Sequence, residues 1–276
     1  MAQSWNKTLA YDMGLALGKE ALSYGYDGWY GPGINLHRTP FAGRNYEYFS
    51  EDATLTGEMA SQEIKGAKNC GVYCYLKHLV CYDQEENRDG LYTWLSEQNL
   101  RENYLKPFKL AIQKGGATGV MTSYNRIGAI WTGGSKALCQ GVLRDEWGFE
   151  GCIETDYADH HTYMNLDQAI RAGGDLWMDG WNSNGAFTFE TSSNTFQQAL
   201  RNASKHILYM SLSAKYVNSI YNESADTSDV IVSTKAAPDT RWKIWVGVGD
   251  GVSGALLVSW ALLVIFLKPK KKAEVA

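Results

Sequence analysis

Gly151-Cys-Ile-Glu-Thr-Asp-Tyr157 is a short run that opens on glycine, carries two β-branched residues and ends on a carboxylate, Asp156. It reads as a buried strand, and a parallel barrel presents its chemistry at the carboxyl ends of its strands, where the βα loops form the rim. Outward from it, strand and helix periods alternate. Val72-Tyr-Cys-Tyr-Leu76, Thr118-Gly-Val-Met-Thr-Ser123 and Gly174-Asp-Leu-Trp-Met178 read as further strands. Helical periods cover about 52–67, 96–114, 135–147 and 194–220, and Pro107 is expected to kink or restart the second of these. Ahead of them Trp5, Leu9, Met13, Leu17 and Ala21 recur on one helical face, before Gly28-Trp-Tyr-Gly31 leads into a polar loop. This alternation predicts an α/β fold, a (β/α)8 TIM-barrel-like domain over 1–221. About five strands are legible where a closed barrel needs eight, so the barrel is expected to be N-terminally incomplete, with its opening units upstream of Met1.

The 276 residues, 45% hydrophobic and 20% charged, suffice for one sizeable core. A formal net charge of −4, without a basic stripe or zinc finger, excludes nucleic acid as a partner class. Ten Trp and seventeen Tyr suit sugar recognition, because the C–H faces of a pyranose stack on apolar rings; a minority of them are assigned to ligand contact. Cys70, Cys74, Cys81, Cys139 and Cys152 form an odd set without a Cys-x-x-Cys pair, so neither a disulfide framework nor a metal site is expected. They read as buried small hydrophobes, and reduced thiols fit an extracellular placement only in an anaerobic habitat.

Residues 244–267 carry a single charge, Asp250, and form a stretch long enough to be a transmembrane helix. Lys268, Lys270, Lys271 and Lys272 follow it, against Arg241 and Lys243 on the other flank, so 268–276 is expected to be a basic cytoplasmic tail. The expected arrangement is a single-pass membrane protein with its globular domain extracellular and a polar juxtamembrane linker over 222–243. An outward-facing domain without a signal peptide reads as part of a longer protein.

Lys77, His78, Tyr124 and Asp156 all fall at strand ends. Glycoside hydrolysis uses two carboxyl groups, and Asp156 fits the nucleophile or base. Lys77 and Arg44 are expected to keep it ionised and to donate to sugar hydroxyls, with Arg44 also paired to Glu47 or Glu51. His78 fits equally well as a packing histidine. Glu154 shares the face of Asp156, because side chains alternate with period two, but lies nearer the barrel interior and reads as structural. Asp159, Asp175 and Asp179 read as turn residues.

Gly31-Pro-Gly-Ile-Asn-Leu-His-Arg-Thr-Pro40, Gly43-Arg-Asn-Tyr-Glu-Tyr-Phe-Ser-Glu-Asp52, Lys77-His78, Met121-Thr-Ser-Tyr-Asn125 and Thr155-Asp156-Tyr157, in this order, resemble glycoside hydrolase family 3 of the β-glucosidase type. The resemblance implies that Asp156 is the nucleophile and that Arg44, Lys77, His78, Met121 and Tyr124 bind the sugar, with Tyr157 beside the glycone. It implies retaining, exo-acting hydrolysis of a β-linked glycoside or oligosaccharide through a glycosyl-aspartate, in carbohydrate catabolism, with no cofactor and no metal. Leu79-Val-Cys-Tyr-Asp-Gln-Glu-Glu-Asn87 stands where the N-acetylglucosaminidase branch has a Gly-rich loop with a His acid, which excludes that branch. The glucosidase-like branch takes its acid/base from a separate α/β sandwich domain, and the barrel strand that supplies a further glycone aspartate has no counterpart before Met1. The expectation is a domain-permuted member whose sandwich precedes this chain, with little turnover of natural glycosides by the chain alone. The alternative is a catalytically incomplete, membrane-anchored carbohydrate-binding remnant.

Overall fold

The computed structural model describes residues 1–158, 163–179 and 191–214, all within one unit of the chain, Met1–Val232. The linker, transmembrane helix and basic tail expected over 222–276 lie outside the described residues. Among the described residues no helix is long and apolar enough to cross a membrane. In chain order the elements are α1 (Lys7–Ser23), β1 (Gly28–Trp29), α2 (Ala53–Asn69), β2 (Tyr73–Leu79), β3 (Tyr92–Thr93), α3 (Glu97–Asn99), α4 (Lys106–Gln113), β4 (Gly119–Thr122), β5 (Arg126–Ile127) and β6 (Ile130–Trp131). A π-helix (Ala137–Glu146), β7 (Cys152–Tyr157), α5 (Leu166–Ala172), β8 (Leu176–Met178) and α6 (Asn194–Ser211) follow.

The described strands of the main sheet are all parallel, in the spatial order β1-β2-β4-β7-β8. Sequential order is kept because each crossover returns through a helix on one side, as right-handed βα units require. The result is a TIM-barrel-like α/β fold built on a parallel half-barrel sheet. Register places Leu79 beside Thr122, and Tyr157 beside Met178, so β2 ends level with β4 and β7 level with β8. Between the sheet and its helices Ile64, Leu76, Val120, Phe108, Leu143 and Ile153 form the main core. Cys74, Cys81 and Cys139 are free and buried in it, Cys152 is free and buried beside Tyr75 and Met210, and Cys70 is half-buried. Burial pushes the Cys74 and Cys139 thiols up to about 12, which leaves them inert fillers at neutral pH.

Gly28–Trp29 is the edge strand β1, paired to Tyr73 and Cys74 of β2, and the polar loop follows it. Strands β3, β5 and β6 form a second small sheet, each only two residues long and therefore invisible to a period-two search. The helical stretch expected over 96–114 restarts at Pro107 as expected: α3 and a π-helical turn (Leu100–Tyr104) precede α4, and Pro107 lies in the first turn of α4, where a missing N–H removes no helical bond.

The apolar row on α1 is the larger surprise. Trp5, Leu9 and Met13 face outward at 76%, 45% and 40% exposure, and the buried positions of the helix are Ala10, Gly14 and Gly18. Backbone proximity decides this. A Cβ on Gly14 would sit 1.8 Å from the Glu63 carbonyl oxygen on α2, and one on Gly66 would sit 2.2 Å from the Tyr11 carbonyl oxygen. Two helices this close can touch only through residues without side chains. Gly14→Ala, which in an open helix gains about 1 kcal/mol of propensity, is therefore expected to lower stability by about 1–3 kcal/mol or more. A higher urea midpoint for this variant would contradict the packing.

Asp175 opens β8 and is a structural hub rather than a plain turn residue. Its Oδ2 accepts from Arg144 Nη2 at 2.6 Å and from the Ile153 N–H at 2.7 Å, and its Oδ1 lies 2.7 Å from His206 Nδ1. One buried carboxylate thus joins the π-helix, β7 and α6, and it fixes the strand that carries Asp156.

Candidate active site

The end of β2 delivers Lys77 and His78, β4 delivers Met121, the turn after it Tyr124, and the last turn of β7 Asp156 and Tyr157. All of them, together with Arg44 from the loop before α2, line one cavity of about 360 Å³ at the carboxyl end of the sheet. Arg44 reaches it because Gly43 adopts φ +90°, and a side chain there would also meet Glu85 Cβ at 2.8 Å.

Asp156 is 5% exposed. Its Oδ1 accepts the Tyr157 N–H at 2.8 Å, while Oδ2 accepts no hydrogen bond. That free oxygen lies 3.7 Å from His78 Nε2, beyond hydrogen-bonding distance. His78 is held by its backbone: Asn35 Nδ2 donates to its carbonyl at 2.9 Å and its N–H donates to Asn35 Oδ1 at 2.8 Å. Burial, reinforced by Arg44, Lys77 and Arg88, holds the imidazole well below its ordinary value, so it is neutral. It serves as a packed wall and not as a cation.

Glu47, rather than Glu51, pairs with Arg44, at 2.6 Å, and it also takes Lys77 Nζ at 3.1 Å. A second cationic arm was not anticipated. Tyr82 donates its hydroxyl to Glu85, Glu85 pairs with Arg88 at 2.7 Å, and the Arg88 guanidinium lies 3.9 Å over the Tyr124 ring. Both arms bear on Asp156. Burial pushes its carboxyl up to about 6, while the Tyr157 N–H, Arg44, Arg88 and Lys77 pull the other way. The expected cations are therefore present, but desolvation outweighs them. At neutral pH the group is mostly ionised.

The chain matches the family model for the glycosyl hydrolase family 3 N-terminal domain over residues 1–207. It belongs to glycoside hydrolase family 3. It is 39% identical over 180 residues to the probable β-glucosidase K of Emericella nidulans, covering 65% of this chain and 21% of that protein. It is 43% identical over 157 residues to a β-glucosidase of Ruminococcus albus, covering 57% and 17%. Among solved structures it resembles β-glucosidase 3B from Thermotoga neapolitana in complex with glucose, with a TM-score of 0.70, 34% identity, and coverage of 83% of this chain and 33% of that one. The β-glucosidase of Kluyveromyces marxianus in complex with glucose gives a TM-score of 0.73 at 28% identity, covering 85% and 27%. The family 3 chain thus spans about a fifth of the length of the curated relatives it matches first.

Within this family 3 half-barrel, the sequence reading selected Arg44, Lys77, His78, Met121, Tyr124, Asp156 and Tyr157, and the fold brings all seven to one cavity. It overlooked Tyr30, Glu85 and Arg88. A signal for two of them existed: Tyr82, Glu85 and Arg88 recur every third residue directly after Lys77-His78, a spacing that stacks them along a turn. Glu154 is buried behind the cavity and does not line it. Burial pushes its carboxyl up to about 7, against the Tyr30 hydrogen bond and with the Asp156 charge. Glu85 is the cavity's other carboxyl among the described residues, and it is engaged by Arg88 and Tyr82. Among the described residues no three His, Cys, Asp or Glu side chains converge as metal ligands.

Proposed function

We propose that the cavity is the glycone site of a retaining, exo-acting β-glucosidase, in which Asp156 attacks the anomeric carbon. The observation that carries this reading is Asp156 Oδ2, buried, ionisable near neutrality and free of any hydrogen bond, at the mouth of a parallel sheet beside three cationic side chains. The first half-reaction forms the Oδ2–C1 bond as the C1–O bond to the aglycone breaks. In the second, water bonds to C1 as the C1–Oδ2 bond breaks, which releases the sugar, restores the Asp156 carboxylate and passes water's proton to the same acid/base that assisted the first step. Arg44, Lys77 and Arg88 donate to the sugar's hydroxyls, Tyr157 offers a ring face to its C–H surface, Tyr124 backs the Arg88 guanidinium that lies over its ring, and neutral His78 closes the floor. Glucose is the preferred sugar by analogy with the two relatives solved with it. The proton needed by a poor leaving group comes, in this reading, from a carboxylic acid outside the described residues, on an α/β sandwich domain. Residues 244–267, with one charge in the apolar run, complete the proposal as a single membrane span with the domain outside; release of the chain from membranes by alkaline carbonate would overturn that part.

The test is 2-deoxy-2-fluoro-β-glucosyl fluoride. Asp156 displaces fluoride, which leaves with the C–F electron pair, so no acid is required. The expected product is one fluoroglucosyl ester on the peptide that carries Asp156, with a labelling rate that rises with pH through about 6 and levels off above it. Ester on another residue would remove Asp156 from the role. Sugar affinity without any ester would leave only a carbohydrate-binding remnant.

A further inference from the structure

Glu154 has no evident reason to be a carboxyl on β7. It is 2% exposed, and an apolar side chain at this position would avoid the cost of desolvating an acid. Its Oε1 accepts the Tyr30 hydroxyl at 3.1 Å, and Oε2 accepts nothing. It stands two residues before Asp156 on the same strand face, roughly 6.6 Å along the chain. Tyr30 directly follows β1 and lines the cavity in front of Asp156. Tyr30 also lines a neighbouring cavity of about 370 Å³, next to Trp29 and Phe49. It borders two open spaces and is half exposed, so packing alone does not fix it. Two contacts restrain it: the edge of Tyr75, with ring centroids 5.3 Å apart, and the hydrogen bond to Glu154.

We propose that Glu154 is a positioning residue: through the Tyr30 hydroxyl it fixes the cavity wall that holds a glycoside in front of Asp156. The inference rests on Asp156 being the nucleophile. It predicts that Glu154 acts on binding geometry only through Tyr30, and that a neutral acceptor of the same size can replace it.

Saturation kinetics with 2-deoxy-2-fluoro-β-glucosyl fluoride on the full chain separate the binding constant from the rate of ester formation. Glu154→Ala and Tyr30→Phe should each weaken the ratio of rate to binding constant about tenfold, the size of one lost hydrogen bond that orients the ligand. Glu154→Gln should recover most of that loss, because its amide oxygen still accepts from Tyr30. The double variant Glu154→Ala/Tyr30→Phe should be no worse than the weaker single variant, since both remove one interaction. Wild-type constants for Glu154→Ala, a Gln variant as poor as the Ala variant, or a double variant whose losses multiply would each overturn the inference. Absence of any ester in the wild type would instead overturn the nucleophile reading and this one with it. Where Glu154→Ala does not fold by circular dichroism, Tyr30→Phe decides alone, and wild-type behaviour from it counts against the proposal.

Discussion

Asp156→Asn is expected to lower kcat/KM on an aryl β-glucoside with a strongly acidic phenol by on the order of 10⁴-fold or more, the scale of losing a covalent nucleophile. Such a substrate leaves without protonation, so the measurement isolates Asp156 from whatever supplies the proton. The loss should arise in kcat, because the amide keeps the shape and burial of the site and the sugar still meets Arg44, Lys77 and Arg88. Stability should move the other way. The folded carboxyl titrates at about 6, above its ordinary 3.8, so its neutral form is the one the fold favours. That contribution is fully present below the unfolded pKa and is lost as pH rises through about 6. Asparagine does not ionise, so the variant should unfold at a higher temperature than the wild type at pH 7 to 8, with the difference vanishing toward pH 4. Residual activity above a tenth of wild type would show that another group attacks.

Asp175→Ala is expected to cost about 3–5 kcal/mol of folding stability, since it leaves the Arg144 guanidinium buried without its counter-charge. Three partners lose their acceptor at once: Arg144, the Ile153 N–H and His206. Arg144 keeps its bonds to the carbonyls of Gly173, Phe149 and Gly151, which argues for the lower part of the range. The denaturant midpoint measures the effect, and a change under about 1 kcal/mol would mean that the hub is redundant. Because Ile153 lies three residues before Asp156 on β7, a partly folded variant should also label slowly with the fluorinated sugar.

The site is more legible in the sequence than the framework around it. Asp156 could be placed because a strand end is a local property: an apolar run, a flanking glycine and a terminal carboxylate suffice to locate the rim of a parallel sheet. Lys77-His78 and Tyr124 followed from the same rule applied to the next strands. Tyr30 did not, since its role depends on Glu154, 124 positions away, accepting its hydroxyl. The electrostatic expectation was half complete for a similar reason. Charges near Asp156 can be guessed from motifs, but the burial that raises its pKa is a sum over every element packed around it.

The amino-acid sequence by itself determined the alternation of strands and helices, the strand ends and the chemical types gathered there, because these follow from backbone periods of two and 3.6 residues and from local steric rules. Only the tertiary structure decided that α1 buries its glycines instead of its leucine and methionine, that Glu47 rather than Glu51 holds Arg44, that Arg88 forms a second cationic arm, and that Asp175 is a hub. The glycine contacts and the Asp175 hub are set by distances between residues far apart in the chain, whereas Arg44–Glu47 and Glu85–Arg88 are three residues apart and are selected by the path of their loops. Helix faces are chosen by which backbones can approach, and ion partners by which side chains converge after the sheet has formed.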